Sequence, residues 1–140
     1  MADAGLEELI AAHRDREGPL LPILHDVQAA YGHVSEAAIR TIAQALNLSR
    51  AEVHGVVSFY HDFKTAPDAR PVLKLCRAEA CKARGVEALV ADAEAAAGTR
   101  VKVETVYCLG LCAVGPAALT GDQVHARLTS ARVEELVAAL

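Results

Sequence analysis

The sequence has few aromatic residues and no basic cluster, and these two shortages exclude the common nucleic-acid interfaces. It contains no tryptophan, two phenylalanines and three tyrosines, so it lacks the stacking platform that unpaired bases need. The formal net charge is −4 at pH 7, and no stretch is basic enough to neutralise a phosphate backbone. We therefore expect no nucleic-acid partner.

Long apolar runs and a basic leader are also missing. The longest uncharged stretch, Thr105 to Gly121, is shorter than the roughly 20 residues that span a bilayer, and it contains glycine and proline. The first residues carry acids where a secretory signal carries bases. The sequence predicts a cytoplasmic chain without membrane insertion. In that reducing compartment, four cysteines are more often metal ligands or redox thiols than structural disulfides.

Motifs of polypeptide catalysis are absent as well. We find no glycine-rich phosphate loop, no serine nucleophile and no paired carboxylates, and the six histidines share no ligand spacing. We therefore predict no catalytic residue, and any chemistry of this chain depends on a cofactor.

The first half of the chain has the apolar spacing of amphipathic helices. Gly32 suits a helix end, Ser35 suits an N-cap, and Ser49 with Glu52 forms a capping box. These signals predict a small bundle of four helices over residues 1–66. The stripes expected inside it are Leu6, Leu9, Ile10 and His13; Leu20, Leu24, Val27 and Tyr31; Ile39, Ile42, Ala43 and Leu46; and Val53, Val56, Val57 and Tyr60.

Most of the aromatic mass of the chain lies at Phe59, Tyr60 and Phe63. We expect these rings to pack in the core, because large apolar side chains are usually buried. The alternative is a contact patch for a protein partner, since aromatic residues are enriched where partners bind.

The second half of the chain alternates strands and helices. Pro67 and Pro71 interrupt the helical pattern, so residues 67–71 are predicted to be a linker and 72–140 a second domain. The order there is β-α-β-β-β-α, with a half-buried strand over Val101 to Tyr107 and a hairpin turn at Gly121. The predicted fold class is α+β or α/β: a helical bundle followed by a small α/β sandwich.

The four cysteines form two pairs, C-x4-C at Cys76 and Cys81 and C-x3-C at Cys108 and Cys112. Structural zinc usually takes C-x2-C knuckles, and a thioredoxin-type thiol relay needs C-x-x-C at a helix start. Neither spacing is present. Wider pairs suit a binuclear cluster, in which each iron takes two cysteines. The spacing favours 2Fe-2S, and the alternatives are a structural zinc-binding interaction protein and a free thiol oxidoreductase.

Residues beside the cysteines are predicted to support a cluster. Gly110 and Gly115 allow the backbone to turn close to sulfur and to offer it N–H groups. Arg77 places a cation beside Cys76, where it favours the more negative, reduced form of an anionic cluster.

Two motif blocks without cysteine accompany the two cysteine pairs. The four segments are Tyr31-Gly-His-Val-Ser-Glu-Ala-Ala-Ile39, Val53-His-Gly-Val-Val-Ser-Phe-Tyr60, Cys76-x4-Cys81 and Cys108-Leu-Gly-x-Cys112. In these segments the sequence resembles the 2Fe-2S subunits of the NuoE type, and the resemblance covers nearly the whole chain. Within that group, His54-Gly-Val-Val-Ser-Phe-Tyr-His-Asp-Phe63 and Cys108-Leu-Gly-Leu-Cys-Ala-Val-Gly-Pro-Ala117 are most similar to the gamma subunit of NAD-dependent, molybdenum-containing formate dehydrogenase.

The resemblance implies a fold, a ligand set and a partner. The second domain would be thioredoxin-like, and the ligands of one 2Fe-2S cluster would be Cys76, Cys81, Cys108 and Cys112. FMN and NAD would bind the partner flavoprotein, which connects to a molybdenum catalytic subunit. The chain alone would be non-catalytic, and when isolated it could form a homodimer. The alternatives are the equivalent subunit of complex I or of an NAD(P)-linked hydrogenase.

Overall fold

The computed structural model describes residues 3–140, which form two compact units divided between Ala69 and Arg70. We call residues 3–69 the helical unit and residues 70–140 the cysteine unit. The division falls within the segment 67–71, where two prolines interrupt the helical pattern. None of the helices between residues 3 and 140 combines the length and the apolar character needed to cross a bilayer.

Four short helices make up the helical unit, because each carries an apolar stripe that buries against the others. Ile23, Leu24, Ile39 and Val53 are fully buried there. Tyr31 departs from its predicted stripe and is 40% exposed, because it is the last residue of its helix. The predicted bundle is confirmed, with α1 at Ala4–His13, α2 at Leu20–Tyr31, α3 at Glu36–Leu46 and α4 at Arg50–Phe59.

The predicted helix ends are confirmed. Gly32 closes α2 in the left-handed conformation at φ 75°, and the Ser35 hydroxyl accepts the N–H of Ala38 at the start of α3. At α4 the Ser49 hydroxyl accepts the Glu52 N–H at 3.1 Å, and the Ser49 N–H donates to the Glu52 carboxylate at 2.7 Å. The backbone and hydroxyl bonds from Ser49 lower the pKa of Glu52, so this stabilisation is present at neutral pH and lost as the carboxylate protonates.

Removing this capping box weakens the helical unit measurably. We expect Ser49→Ala to lower the free energy of unfolding by about 1 kcal/mol, because α4 loses an acceptor for its free N–H groups. Urea unfolding followed by circular dichroism measures the loss. The control is Ser58→Ala, whose hydroxyl donates to the Gly55 carbonyl within α4 and caps nothing. Equal losses for the two variants would contradict the assigned cap.

The aromatic residues at and just after the end of α4 are mostly outside the core, contrary to the sequence prediction. Phe63 is buried against His25, at 4.9 Å between ring centres. Phe59 is 74% exposed and Tyr60 is 44% exposed. The reason is that α4 ends at Phe59 and Tyr60 adopts extended backbone, so the stripe that buries Val53 does not continue to Tyr60.

A four-stranded mixed sheet forms the centre of the cysteine unit, in the order β2-β1-β3-β4. The strands are β1 at Val72–Cys76, β2 at Lys102–Val106, β3 at Ala118–Thr120 and β4 at Gln123–His125. Strands β1 and β2 are parallel, so the connection between them must cross over the sheet, and it does so through helices. Strand β3 is antiparallel to both β1 and β4, which confirms the predicted hairpin.

The helices of the cysteine unit are α5 (Glu79–Ala83), α6 (Val86–Ala97) and α7 (Ser130–Ala139). Leu73 and Leu75 are buried in one cluster with apolar residues of α6 and α7. The predicted α+β class is confirmed, and α5 is an addition to the predicted order. It follows β1 closely and carries Cys81.

The end of β2 differs from the predicted alternation. The pattern places Tyr107 on the buried face with Val101 and Val103, yet Tyr107 is 73% exposed. The strand ends at Val106, and Cys108 has a positive φ of 71°, so the chain turns away from the sheet at this point. This turn brings the second cysteine pair to the same end of the sheet as the first pair, which follows from the end of β1.

Candidate metal centre

The first cysteine pair is buried at the carboxyl end of β1. Cys76 is the last residue of that strand and Cys81 lies in α5, and each is 2% exposed. Val86 and Ala117 form a small apolar cluster with them. The short helix thus returns Cys81 to the sulfur of Cys76 instead of leaving it in a loose loop.

The second pair is exposed. Cys108 lies in the turn after β2, and Cys112 begins a short 3-10 helix at Cys112–Val114. Their sulfur atoms are 3.7 Å apart, and none of the four cysteines is in a disulfide. One pair is therefore shielded from water and the other faces it.

Strand pairing brings the two pairs together. In the parallel register, Cys76 of β1 stands beside Val106 of β2, two residues before Cys108. The Cys108 N–H consequently donates to the Cys76 sulfur at 3.3 Å. The fold thus brings together the two loops that carry the cysteine pairs.

Hydrogen bonds to sulfur set the protonation of Cys76. Burial raises the pKa of this thiol, but the N–H groups of Ala78, Cys108 and Leu109 and the thiol of Cys81 stabilise its ionised form. The net result is a pKa below the ordinary value. Cys76 therefore ionises more easily than an ordinary cysteine thiol.

The pKa values of two other thiols move the opposite way. Burial raises the pKa of Cys81, and its hydrogen bond to Cys76 raises it further. The hydrogen bond and the charge of Cys108 raise the pKa of Cys112. Because metal ligation requires thiolates, binding at this site must release protons.

Glycine is required at the two predicted supporting positions for different physical reasons. Gly110 has φ 77° and open space beside it, so backbone conformation is what requires a glycine there. Gly115 has ordinary extended backbone, but a Cβ atom on it would lie 3.1 Å from the Cys81 sulfur. Only a residue without a side chain lets this loop approach that sulfur without displacing it.

Arg77 is held by an acid that the sequence analysis did not identify. Its guanidinium binds the Glu87 carboxylate in a bidentate fashion, at 3.1 Å and 2.5 Å. This pairing lowers the pKa of Glu87, which stands in the first turn of α6. The cation beside Cys76 is therefore partly neutralised, and its effect on a bound cluster is smaller than that of a free arginine.

The donor set fits a binuclear cluster. Within residues 3–140, no three His, Cys, Asp or Glu side chains converge on a single ion position. The sulfurs are arranged as two neighbouring pairs, Cys76 with Cys81 and Cys108 with Cys112. Four thiols with several N–H groups aimed at sulfur are a donor set of the kind that holds iron-sulfur clusters.

Comparison with known proteins agrees with this donor chemistry. A family model described as thioredoxin-like 2Fe-2S ferredoxin matches residues 6–140. The chain belongs to this family. The match extends through both the helical and the cysteine units, so the predicted resemblance to NuoE-type subunits is confirmed.

Relatives are found in several NAD-linked assemblies. One NADH-quinone oxidoreductase subunit of Rhizobium meliloti (strain 1021) is 32% identical, over 94% of this chain and 84% of the relative. NADP-reducing hydrogenase subunit HndA of Solidesulfovibrio fructosivorans is 26% identical, over 94% and 82%. A solved structure of an air-oxidised NAD+-reducing NiFe-hydrogenase superposes with a TM-score of 0.69 and 29% identity, covering 89% of this chain but only 23% of that chain.

Several supporting residues were missed from the sequence. The N–H donors to the Cys76 sulfur include Ala78 and Leu109, and Ala117 donates to Cys81. These residues act through their backbones, so their side chains give no signal. Glu87 could have been found only by knowing that α6 starts beside Arg77.

Proposed function

We propose that Cys76, Cys81, Cys108 and Cys112 hold one 2Fe-2S cluster and that the chain is an electron-transfer subunit. The cluster supplies the chemistry, the uptake and release of one electron at a time. The chain buries one side of it, directs N–H groups at the sulfurs and leaves the other side exposed. The observation that supports this most directly is the hydrogen bond from the Cys108 N–H to the Cys76 sulfur. It brings the two cysteine pairs together in a chain that belongs to a 2Fe-2S family.

The proposed partner is a flavoprotein subunit that binds FMN and NAD. Relatives named NADH-quinone oxidoreductase subunit and NADP-reducing hydrogenase subunit support an NAD-linked assembly. Within this range we favour an NAD-dependent formate dehydrogenase with a molybdenum catalytic subunit. The support is the similarity of Cys108 to Pro116 to the gamma subunit of that enzyme, above all at Val114-Gly115-Pro116. We assign the chain to the cytoplasm and no catalysis to the chain alone.

Metal content tests the cluster. Protein purified without oxygen is expected to contain about two irons and two sulfides per chain, to absorb visible light and to give an electron resonance signal on reduction, because sites of four cysteines hold such clusters. Colourless protein with one zinc would support the structural zinc alternative, and metal-free protein with reactive thiols would support the oxidoreductase alternative. Either result contradicts the cluster.

Co-purification tests the partner. A tagged chain expressed in its native host should capture a flavoprotein that contains FMN, and mass spectrometry should identify the catalytic subunit attached to it. A molybdenum subunit supports formate dehydrogenase. A NiFe subunit supports the hydrogenase alternative, and quinone-reducing subunits support the complex I alternative. Full iron content without any captured flavoprotein would contradict the partner and leave the cluster assignment intact.

A further inference from the structure

Most lysines and arginines of the cysteine unit already have partners. The Arg100 side chain donates to the Val137 carbonyl at 2.7 Å, and Lys102 pairs with Glu104 at 3.0 Å. These side chains are engaged by other groups of the chain. The full set with partners is Arg70, Lys74, Arg77, Arg100, Lys102 and Arg132.

The remaining three, Lys82, Arg84 and Arg127, are exposed and make no ion pair or side-chain hydrogen bond with any residue from 3 to 140. Lys82 and Arg84 flank the end of α5, the helix that carries Cys81. We call the three residues the cationic rim.

The cationic rim lies at the cysteine end of the sheet. A Cβ on Gly115 would be 3.4 Å from the Cδ of Arg84, so this side chain runs beside the loop that contains Cys112. Arg127 adjoins the same loop, because its N–H donates to the Val114 carbonyl at 2.7 Å. Within the described part of the cysteine unit, the unpaired cations are therefore near the metal ligands.

The exposed cysteines lie between these cations in a segment without acids. No Asp or Glu occurs from residue 105 to residue 121. Within that segment Cys108 and Cys112 are exposed, and Tyr107 is exposed beside them. The segment that carries the second cysteine pair therefore has no negative side chain of its own.

Acids on the neighbouring helices change this balance little. Glu79 is exposed on α5, and Glu87 in the first turn of α6 is bound by Arg77 and also interacts electrostatically with Lys82, without forming an ion pair with it. Of these two acids, only Glu79 is without a cationic partner among the described residues, whereas the cationic rim carries three positive charges. The described side chains beside the second cysteine pair thus include more cations than acids, although the chain is acidic overall.

We propose that the cationic rim binds an acidic surface on the flavoprotein subunit and orients the Cys108 and Cys112 edge toward it. This inference rests on the proposed function. Electron transfer needs the exposed edge of the cofactor to face the partner, and complementary charge provides orientation and a fast association rate. The net negative charge elsewhere disfavours binding of an acidic partner through the wrong face.

The test compares two variants with the same loss of charge. One is Lys82→Gln, Arg84→Gln, Arg127→Asn, with asparagine at 127 because φ is 50° there. The control is Arg40→Gln, Arg50→Gln, Arg132→Gln, all exposed cations. The probe is the flavoprotein that co-purifies with the wild-type chain. Association is measured at several salt concentrations on iron-loaded protein, together with visible absorption, melting temperature and reduction potential.

We expect the rim variant to associate about tenfold more slowly at low salt and to lose most of its salt dependence, whereas the control keeps both. Unchanged absorption and melting show that cluster and fold are intact. Equal effects of rim and control, or salt-independent binding of the wild type, overturn the proposal. A shifted potential with unchanged association also overturns it, since the cations then only screen the cluster. If iron-loaded wild type binds no flavoprotein, both the partner and this docking face are wrong.

Discussion

We expect Cys81→Ser to remove most of the iron from the proposed cluster and to lower the melting temperature of the cysteine unit. The Cys81 sulfur is buried and lies beside Cys76 and the loop at Gly115. The serine hydroxyl has a shorter bond to Cβ than the cysteine thiol, is a harder ligand and ionises less easily. It is therefore a poor ligand for iron-sulfur clusters. Because metal-binding energy is also folding energy in a small domain, the unit loses stability with its metal.

The size of the effect follows from the size of the unit. A loss of about 2 kcal/mol of binding energy lowers the melting temperature of such a small domain by roughly 8–16 °C. The measurement is a thermal melt with iron analysis of both loaded and metal-free protein. The metal-free variant should melt close to the metal-free wild type, since a single sulfur-to-oxygen exchange changes packing little. A large gap between the two metal-free proteins would assign the effect to packing.

A matched control is Ala83→Ser, which places the same hydroxyl in α5 at an exposed position and removes no sulfur. It should keep full iron content. Cys108→Ser provides the companion test at the exposed pair and should also lose iron. Normal iron content in both cysteine variants would contradict the four-thiol ligand set.

The features that the sequence predicted correctly depend on local chemistry. The capping box of Ser49 and Glu52, the left-handed helix end at Gly32 and the hairpin at Gly121 each involve residues within a few positions of one another. Apolar stripes likewise specify which face of a helix is buried. For the site, the spacing of the four cysteines was enough to predict that the two pairs share one centre, and the Cys108 N–H indeed contacts the Cys76 sulfur.

The features that the sequence did not predict depend on where each helix or strand ends and on how it is oriented in the folded chain. Helix α5 is only five residues long and has no side-chain cap, so it gives almost no periodic signal. Tyr60 and Tyr107 continue apolar patterns one position beyond the end of their element, and both are exposed. The pairing of Arg77 with Glu87 spans ten positions and depends on the angle at which α6 leaves the site. Sequence periodicity carries no information on such angles.

The exposure of the two cysteine pairs could not be predicted either, and it is the property that matters for electron transfer. Both pairs follow strands, and nothing in their spacing distinguishes them. The difference arises because Cys81 returns on α5 beneath the loop of Gly115, whereas Cys108 lies in a turn with positive φ that leads outward. One side of the site is therefore insulated and the other is available to a partner.

The second large effect concerns the cores of the two units, which are separate clusters. Leu75→Ala in β1 and Ile42→Ala in α3 each remove a side chain that is 0% exposed. Each should cost about 2–5 kcal/mol of unfolding free energy, through lost burial and the cavity left behind. Their consequences for the metal should differ, because Leu75 directly precedes the proposed ligand Cys76 in β1, whereas Ile42 lies in the core of the helical unit, which contains no cysteine.

For Leu75→Ala we expect a lower melting temperature. We also expect its visible absorption to bleach at a lower urea concentration than that of the wild type, since β1 positions Cys76 against the N–H of Cys108. Ile42→Ala should lose helical circular dichroism at lower urea while its visible absorption bleaches at the wild-type concentration. The two variants are controls for each other, because they remove buried side chains of similar size from different clusters. Bleaching of both at the same urea concentration would mean that the helical unit contributes to holding the ligands, contrary to a metal centre built wholly within residues 70–140.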